Sequence, residues 1–235
     1  MRYTGSELEL FADAVNWKAY LADQMSPFIM GRVLEVGAGI GSNIPALFNE
    51  RVENWLAIEP DHQLAAVIEQ KLERGELPSS CHVTTGITAD LPGDQKFDTI
   101  IYVDVLEHIA HDRDEFARAS RHLTLGGRLI VLSPAHQFLF SAFDTSIGHV
   151  RRYNARSLKA LTTPSCRVEI VRMLDSTGML LSLGNRIVMR SSMPTRSQIA
   201  LWDKVFVPCS KRLDRLTGFR FGKSILMVWK AIAAP

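Results

Sequence analysis

The segment from Arg32 to Gly41 reads Arg-Val-Leu-Glu-Val-Gly-Ala-Gly-Ile-Gly. A short apolar run ends in an acid, Glu35, and then in three alternating glycines. Gly37, Gly39 and Gly41 permit backbone angles that a Cβ would forbid, and they let a ligand come close to the main chain. A dinucleotide fingerprint has its third glycine one residue later, where this chain has Ser42. Glu59, followed by Pro60, ends the next apolar run, 18 residues after Gly41. A carboxylate there can accept both hydroxyls of a ribose. The polar turn Thr88–Pro92 holds Asp90, which could accept from an exocyclic amine, and Leu91, whose N–H could donate to a ring nitrogen. Asp104 stands at the tip of a further apolar run beginning at Phe97.

Two groups could move protons or hold an acceptor. His108 follows the Asp104 tip, and an imidazole titrates near neutral pH. It could act as a base or simply shape a pocket. The second group is Gly148-His149-Val150-Arg151-Arg152-Tyr153. His149 with Arg152 could bind a carboxylate or phosphate, and Tyr153 with nearby phenylalanines could enclose a cation. The same residues would only fold the loop if Asp144 pairs with an arginine. His108, His111, Asp104 and Asp112 could in principle chelate a metal. Asp112, however, falls where a helix N-terminus is expected and suits a cap, so no metal site is expected.

The elements that would position these residues alternate. Ser6 with Glu9 offers a capping box for a helix over 6–22 with two apolar stripes. A helix starts near Asn43. Residues 61–74 and 112–124 have amphipathic spacing, with Gly75 stopping the first and Leu125-Gly126-Gly127 the second. Strands are expected at 32–36, 55–59, 81–84, 97–103, 128–132, 167–174 and 225–232. Such alternation predicts an α/β fold with a mostly parallel sheet covered on both faces. Residues 134–156 lack clean periodicity but are dense in functional side chains. Residues 177–222 form an insertion interrupted by Pro194 and Pro208. The reading is one domain: a cap helix in 1–25, a core over 30–134, and cap insertions at 134–156 and 177–222.

Composition narrows the class. With 46% hydrophobic and 22% charged residues, the chain is ordinary globular material rather than a disordered one. Three cysteines, far apart and in no Cys-x-x-Cys pair, oppose a disulfide scaffold and suit a cytoplasmic setting. No apolar run reaches the roughly 18 residues of a membrane span. The net charge of +2 conceals an asymmetry: residues 186–230 hold ten Lys/Arg against two acids. That excess could face an anionic small molecule, a lipid headgroup or simply solvent; nucleic acid is not expected, and peripheral membrane contact stays open.

Taken in order, the motifs over about residues 30–134 resemble the class I S-adenosylmethionine-dependent methyltransferases. The Gly-His-x-Arg-Arg-Tyr segment is similar to that of a bacterial subgroup. The resemblance implies a Rossmann-like fold with a seven-stranded sheet, and S-adenosyl-L-methionine as cofactor. It implies that Gly37, Gly39 and Gly41 cradle the methionine end with Glu35 beneath its ammonium. It implies that Glu59, beside Pro60, holds the ribose, that Asp90 and Leu91 read the adenine, and that Asp104 lies by the methionine. His108, His149, Arg152 and Tyr153 are then the candidates for chemistry on a small-molecule acceptor. The same fold supports other uses of the cofactor, such as cyclisation to azetidine-2-carboxylate with release of methylthioadenosine, or binding without catalysis.

Overall fold

A computed structural model describes residues 7–188 and 194–233. Its centre is a seven-stranded sheet of order β3-β2-β1-β4-β5-β7-β6. The strands are β1 Gly31–Val36, β2 Val52–Glu59, β3 Cys81–Thr85, β4 Phe97–Val103, β5 Leu123–Pro134, β6 Cys166–Leu174 and β7 Ser224–Ala231. All neighbours pair in parallel except β7, which runs antiparallel to β5 and β6. Strand order reverses between β1 and β4. At such a switch point the flanking loops diverge and leave a crevice at the carboxyl ends of the strands.

Both faces of the sheet are covered, so β1 is buried continuously from Val33 to Val36 instead of alternating. One face packs Trp55, Ile101, Ile130 and Val228 against N-terminal helices. The other packs Leu34, Tyr102, Leu129 and Trp229 around Phe116. The helices are α1 Glu7–Ala12, α2 Val15–Met25, α3 Ile44–Leu47, α4 His62–Glu73, α5 Asp112–Arg121, α6 Ala142–Ser146, α7 Ala155–Lys159, α8 Ser176–Val188, α9 Arg196–Leu201 and α10 Val207–Leu216.

Four sequence expectations change. The leading helix is broken at Asp13–Ala14 and continues to Met25; Ser6 lies outside the described residues. Ala14 cannot cap α2 with its side chain. Asp203, 187 residues after Asn16, accepts from Asn16 N at 3.1 Å and Trp17 N at 2.8 Å, satisfying two open donors of the first turn. Gly126 and Gly127 do not stop a helix. The helix has ended at Arg121, and the pairing of β4 with β5 jumps from Phe97↔Leu123 to Thr99↔Arg128. Gly126 (φ +83°) lies in that irregularity, where a left-handed angle is needed. Residues 134–156 contain a 3₁₀ turn at Gln137–Leu139 and the helix α6, and are closed at the base by a bridge between Ala135 and Tyr153. Finally, Pro208 does not interrupt the insertion. It sits in the first turn of α10, directly after a π-turn at Trp202–Phe206 that joins α9 to α10.

Candidate active site

A cavity of about 1910 Å³ opens over the switch point. Its first wall is the glycine turn after β1. Gly37, Gly39 and Gly41 all adopt left-handed angles (φ +66°, +57° and +68°). A Cβ on Gly37 would stand 2.7 Å from Val105 Cγ2, and one on Gly41 would stand 3.1 Å from Ile68 Cγ1. Gly37 and Gly39 line the cavity; Gly41 lies behind, where it allows α4 to pack closely.

Glu59 and Pro60 at the end of β2 also line the cavity. The Glu59 carboxylate accepts from Gly39 N at 2.8 Å and from Asp61 N at 3.0 Å. Each bond uses a different oxygen, so each oxygen keeps a lone pair for a further donor. Burial raises its pKa above the ordinary carboxylate range, against the pull of those two N–H groups. Glu35 is 1% exposed and stands beneath the turn, outside the lining. Trp55 Nε1 donates to it at 3.2 Å. Burial pushes its pKa up to about 7, although hydrogen bonds from Trp55 and Asn43 oppose the rise.

Farther along this wall, Asp90 faces the cavity and accepts from Ile87 N at 2.9 Å. Leu91 is not brought to the cavity. Its N–H turns back to Thr88 O at 3.4 Å and its side chain packs on the sheet. Sequence reasoning missed Glu115 and Arg118 here. Both line the cavity, and Glu115 accepts from Thr88 Oγ1 at 2.5 Å, Tyr102 Oη at 2.7 Å and Arg118 Nη1 at 3.0 Å. Their signal was only helical spacing in α5, which reads equally as a packing face.

The opposite wall is built from the tip of β4 and the 134–156 segment. Asp104 ends β4 in a left-handed conformation (φ +53°), which costs a non-glycine residue energy and is held by its surroundings. Its side chain reaches solvent through the cavity with protein mass around it. Desolvation raises its pKa to about 6, while His149, Lys223 and Arg152 pull the other way. His108 and His149 meet edge to face, with ring centroids 4.6 Å apart. Burial, then the charge of His149, lowers the His108 pKa to about 4, against a hydrogen bond with the Gly148 backbone.

His149 Nδ1 lies 2.9 Å from Asp144 Oδ1. Asp144 is itself fully buried and clamped by Arg152, with Nε at 2.7 Å and Nη2 at 2.9 Å. Although burial works to raise it, hydrogen bonds from His149 and Arg152 hold this carboxyl well below the usual range. Arg152 lines the cavity, but its fork is spent on Asp144 and is not presented to a ligand. Tyr153 is 1% exposed and does not line the cavity. Its hydroxyl donates to Asp112 Oδ2 at 2.6 Å. Arg151 pairs with the same carboxylate. Tyr153 is therefore a strut between this segment and α5, because its ring fills the core beside the sheet. Asp112 is not the cap of α5, since the N-cap position falls on His111; its carboxylate serves that strut instead.

Glu107 was missed by sequence reasoning. It is fully buried; Oε2 accepts from Ser133 Oγ at 2.8 Å, whereas Oε1 has no hydrogen-bond partner and lies 3.7 Å from His149 Nε2. Ligand atoms of Glu107, His108 and His149 all fall within 4.8 Å of one another, a set able to share a proton or hold a cation. Burial, reinforced by the charge of Asp104, raises Glu107 far above the carboxylate range.

The roof comes from three stretches: Phe11 and Trp17 from the N-terminal helices, Phe140 and Phe143 from the 134–156 segment, and Ile199 and Trp202 from the insertion. Buried carboxylates hold it down. Asp175 accepts from Trp202 Nε1 at 2.9 Å and Ser210 Oγ at 2.7 Å. Asp214 accepts from Tyr20 Oη at 2.8 Å, Asp175 N at 2.8 Å and Ser176 N at 3.1 Å.

Comparison with known proteins agrees with this fold. Residues 34–129 match the family model of a methyltransferase domain. The chain is 31% identical over 144 residues to CymA of Salinispora arenicola, a probable non-canonical nonribosomal peptide synthetase; the match takes in 58% of this chain and only 2% of that one. It is 26% identical over 158 residues to an uncharacterized methyltransferase of Staphylococcus carnosus, covering 66% of this chain and 70% of the relative. Among solved structures, geranyl diphosphate methyltransferase in complex with SAM superposes with a TM-score of 0.66 at 13% identity, covering 97% of this chain and 91% of that one. The [4+2]-cyclase SpnF gives 0.63 at 13% identity, covering 97% and 94%. At such identities the likeness establishes the fold.

Proposed function

We propose that this chain, built on the Rossmann-like class I methyltransferase fold, is an enzyme that binds S-adenosylmethionine and transfers its methyl group to a small-molecule acceptor. One observation carries the reading: a single cavity has a glycine-and-acid wall facing an imidazole-and-carboxylate wall. At about 1910 Å³ it exceeds the roughly 300–1,000 Å³ of a typical one-ligand pocket, so two ligands can meet inside it. The residues fit the cofactor. Gly39 leaves its neighbourhood open, with Leu8 at 3.5 Å as the nearest contact of an added Cβ, and Glu59 keeps lone pairs where ribose hydroxyls would come.

When bound, the cofactor supplies an electrophilic methyl on a sulfonium. The protein's part is orientation and exclusion of water. Gly37 and Gly39 offer main chain at close range, Glu59 receives hydroxyls, and Asp90 faces the base. On the acceptor side, Asp144 orients the His149 ring through Nδ1, leaving Nε2 toward Glu107 and the cavity. A proton released by a hydroxyl or amine acceptor can be received at Nε2. Lys223 also lines the cavity, but its ammonium is paired with Asp175 at 3.5 Å and lies over the Trp202 ring, so it is part of the roof's anchorage.

The deciding experiment is incubation of the protein with S-adenosylmethionine, alone and with an acceptor panel, followed by product chromatography. S-adenosylhomocysteine appearing only with an acceptor supports the reading. Methylthioadenosine formed without one replaces methyl transfer by intramolecular chemistry. Absence of cofactor binding by calorimetry refutes both.

A further inference from the structure

The helix running from α9 through the π-turn into α10 buries Ile199, Trp202 and Val207 as an ordinary surface helix would, but it also buries both of its acids. Its two acids, Asp203 and Asp214, face inward and are buried, together with Val207 and Ser210, at helical spacing. The acids are held there by Trp17, Tyr20 and the 175–176 backbone. Its outward face carries Val205, Cys209, Leu213 and Leu216, spaced by four, four and three residues, so that they form one stripe. Leu216 is 84% exposed, and Phe221 just beyond it is 55% exposed. Lys204, Arg212, Arg215 and Arg220 flank the stripe, all exposed. Lys211 is already paired with Asp23 and adds nothing to the face. Between residues 195 and 223 the sequence has no acid other than the two buried ones.

We propose that this face docks on an anionic lipid surface. A solvated helix would place its acids outward and its leucines inward. Here the inward positions hold both carboxylates beside Ile199, Trp202 and Val207, and the outward ones combine apolar side chains with cations alone. That pairing suits the boundary between acyl chains and negatively charged headgroups. Leucine, valine and phenylalanine enter the apolar layer, while Arg and Lys reach the headgroups on their long stems. The charge is complementary to phosphate-bearing lipids, and each cation near such a surface strengthens attachment. No helix among the described residues is long and apolar enough to cross a membrane, so the contact is peripheral. The same helix lines the cavity on its other side through Ile199, Trp202 and Phe206. Docking therefore sets the cavity one helix away from the lipid. The proposal does not depend on methyl transfer.

The test is sedimentation of the full chain with vesicles of phosphatidylcholine alone and of phosphatidylcholine with phosphatidylglycerol, at low and at raised salt. We expect binding to the anionic vesicles, weakening as salt rises. Arg212→Glu/Arg215→Glu should lower it by at least about tenfold. Leu213→Asp and Leu216→Asp should each lower it further, with the thermal midpoint of Leu216→Asp unchanged because that side chain is 84% exposed. Circular dichroism checks the fold. Equal binding to both vesicle types, or anionic binding indifferent to the four substitutions, overturns the proposal. So does a wild-type dimer that Leu216→Asp splits, since the face is then an interface between two copies of the chain.

Discussion

The two walls of the cavity are held in different ways. The glycine-and-acid wall is local: Gly37, Gly39 and Glu59 follow directly from the ends of β1 and β2, and the carboxylate is aligned by main-chain N–H groups. The acceptor wall and roof are bridged at long range. Asp175, Asp203 and Asp214 gather donors from segments that meet only in the fold, as Asp203 does for α2 and Asp214 for Tyr20, whereas Asp144 collects Ser141, His149 and Arg152 within its own loop. Buried carboxylates with several partners specify a geometry, but they leave unpaired donors when removed. The first wall should therefore lose ligand affinity on substitution, and the second should lose stability or turnover.

Asp214→Ala presses this difference hardest. It strips Tyr20 Oη and two backbone N–H groups of a buried acceptor. We expect a loss of about 3–5 kcal/mol of unfolding free energy, read by denaturant titration. S-adenosylhomocysteine affinity should persist in whatever fraction stays folded. A fully stable Asp214→Ala protein would show that the roof does not hang on this carboxylate.

Glu59→Ala probes the other wall. Loss of charged hydrogen bonds to two hydroxyls should cost on the order of 2–4 kcal/mol of cofactor binding, and Glu59→Gln part of that. Calorimetry on both variants decides. Equal small losses would take the ribose away from Glu59.

Glu35 makes the first wall sensitive to pH without touching the cavity. Its folded pKa of about 7 stands above the ordinary 4.5. Between these values the folded protein keeps a proton that the unfolded chain has released. Stability should therefore fall as pH rises through that window and level off above it, by at most about 3 kcal/mol. Glu35→Gln should flatten the slope, measured as unfolding free energy against pH. A slope unchanged in the variant assigns it to another group.

The smallest effect separates neighbours on the base-binding turn. Asp90→Ala should cost about 1 kcal/mol of cofactor affinity, since its carboxylate faces the cavity. Leu91→Ala should leave affinity within about twofold, because that side chain packs against the core and its N–H is turned to Thr88 O. Matching losses from both would return the Leu91 side chain to the site.

The strands, their order of appearance and the glycine wall were legible because each is written in consecutive residues. An apolar run, an acid and a glycine turn need only local backbone preferences and burial on two faces to become a strand tip with a ligand platform. The acceptor wall was half legible. His108, His149 and Arg152 were found by type and do reach the cavity, yet Arg152 spends its fork on Asp144 and Tyr153 turns into the core. Residue type carries no information about which way a side chain points from an irregular segment.

What only the tertiary structure decided is partnership across distance. The sequence by itself determined a parallel α/β sheet with a cofactor-type turn at its switch point. It could not show that Glu107 and His149 meet at 3.7 Å, since they lie in different segments. Nor could it show that α2 is capped by an aspartate 187 residues away. It counted Asp203 and Asp214 as two acids in a basic stretch, whereas the fold turns both inward and leaves the cations and leucines outside. The physical reason is the same in each case: a buried carboxylate goes where donors converge, and convergence is a property of packing that no local periodicity records.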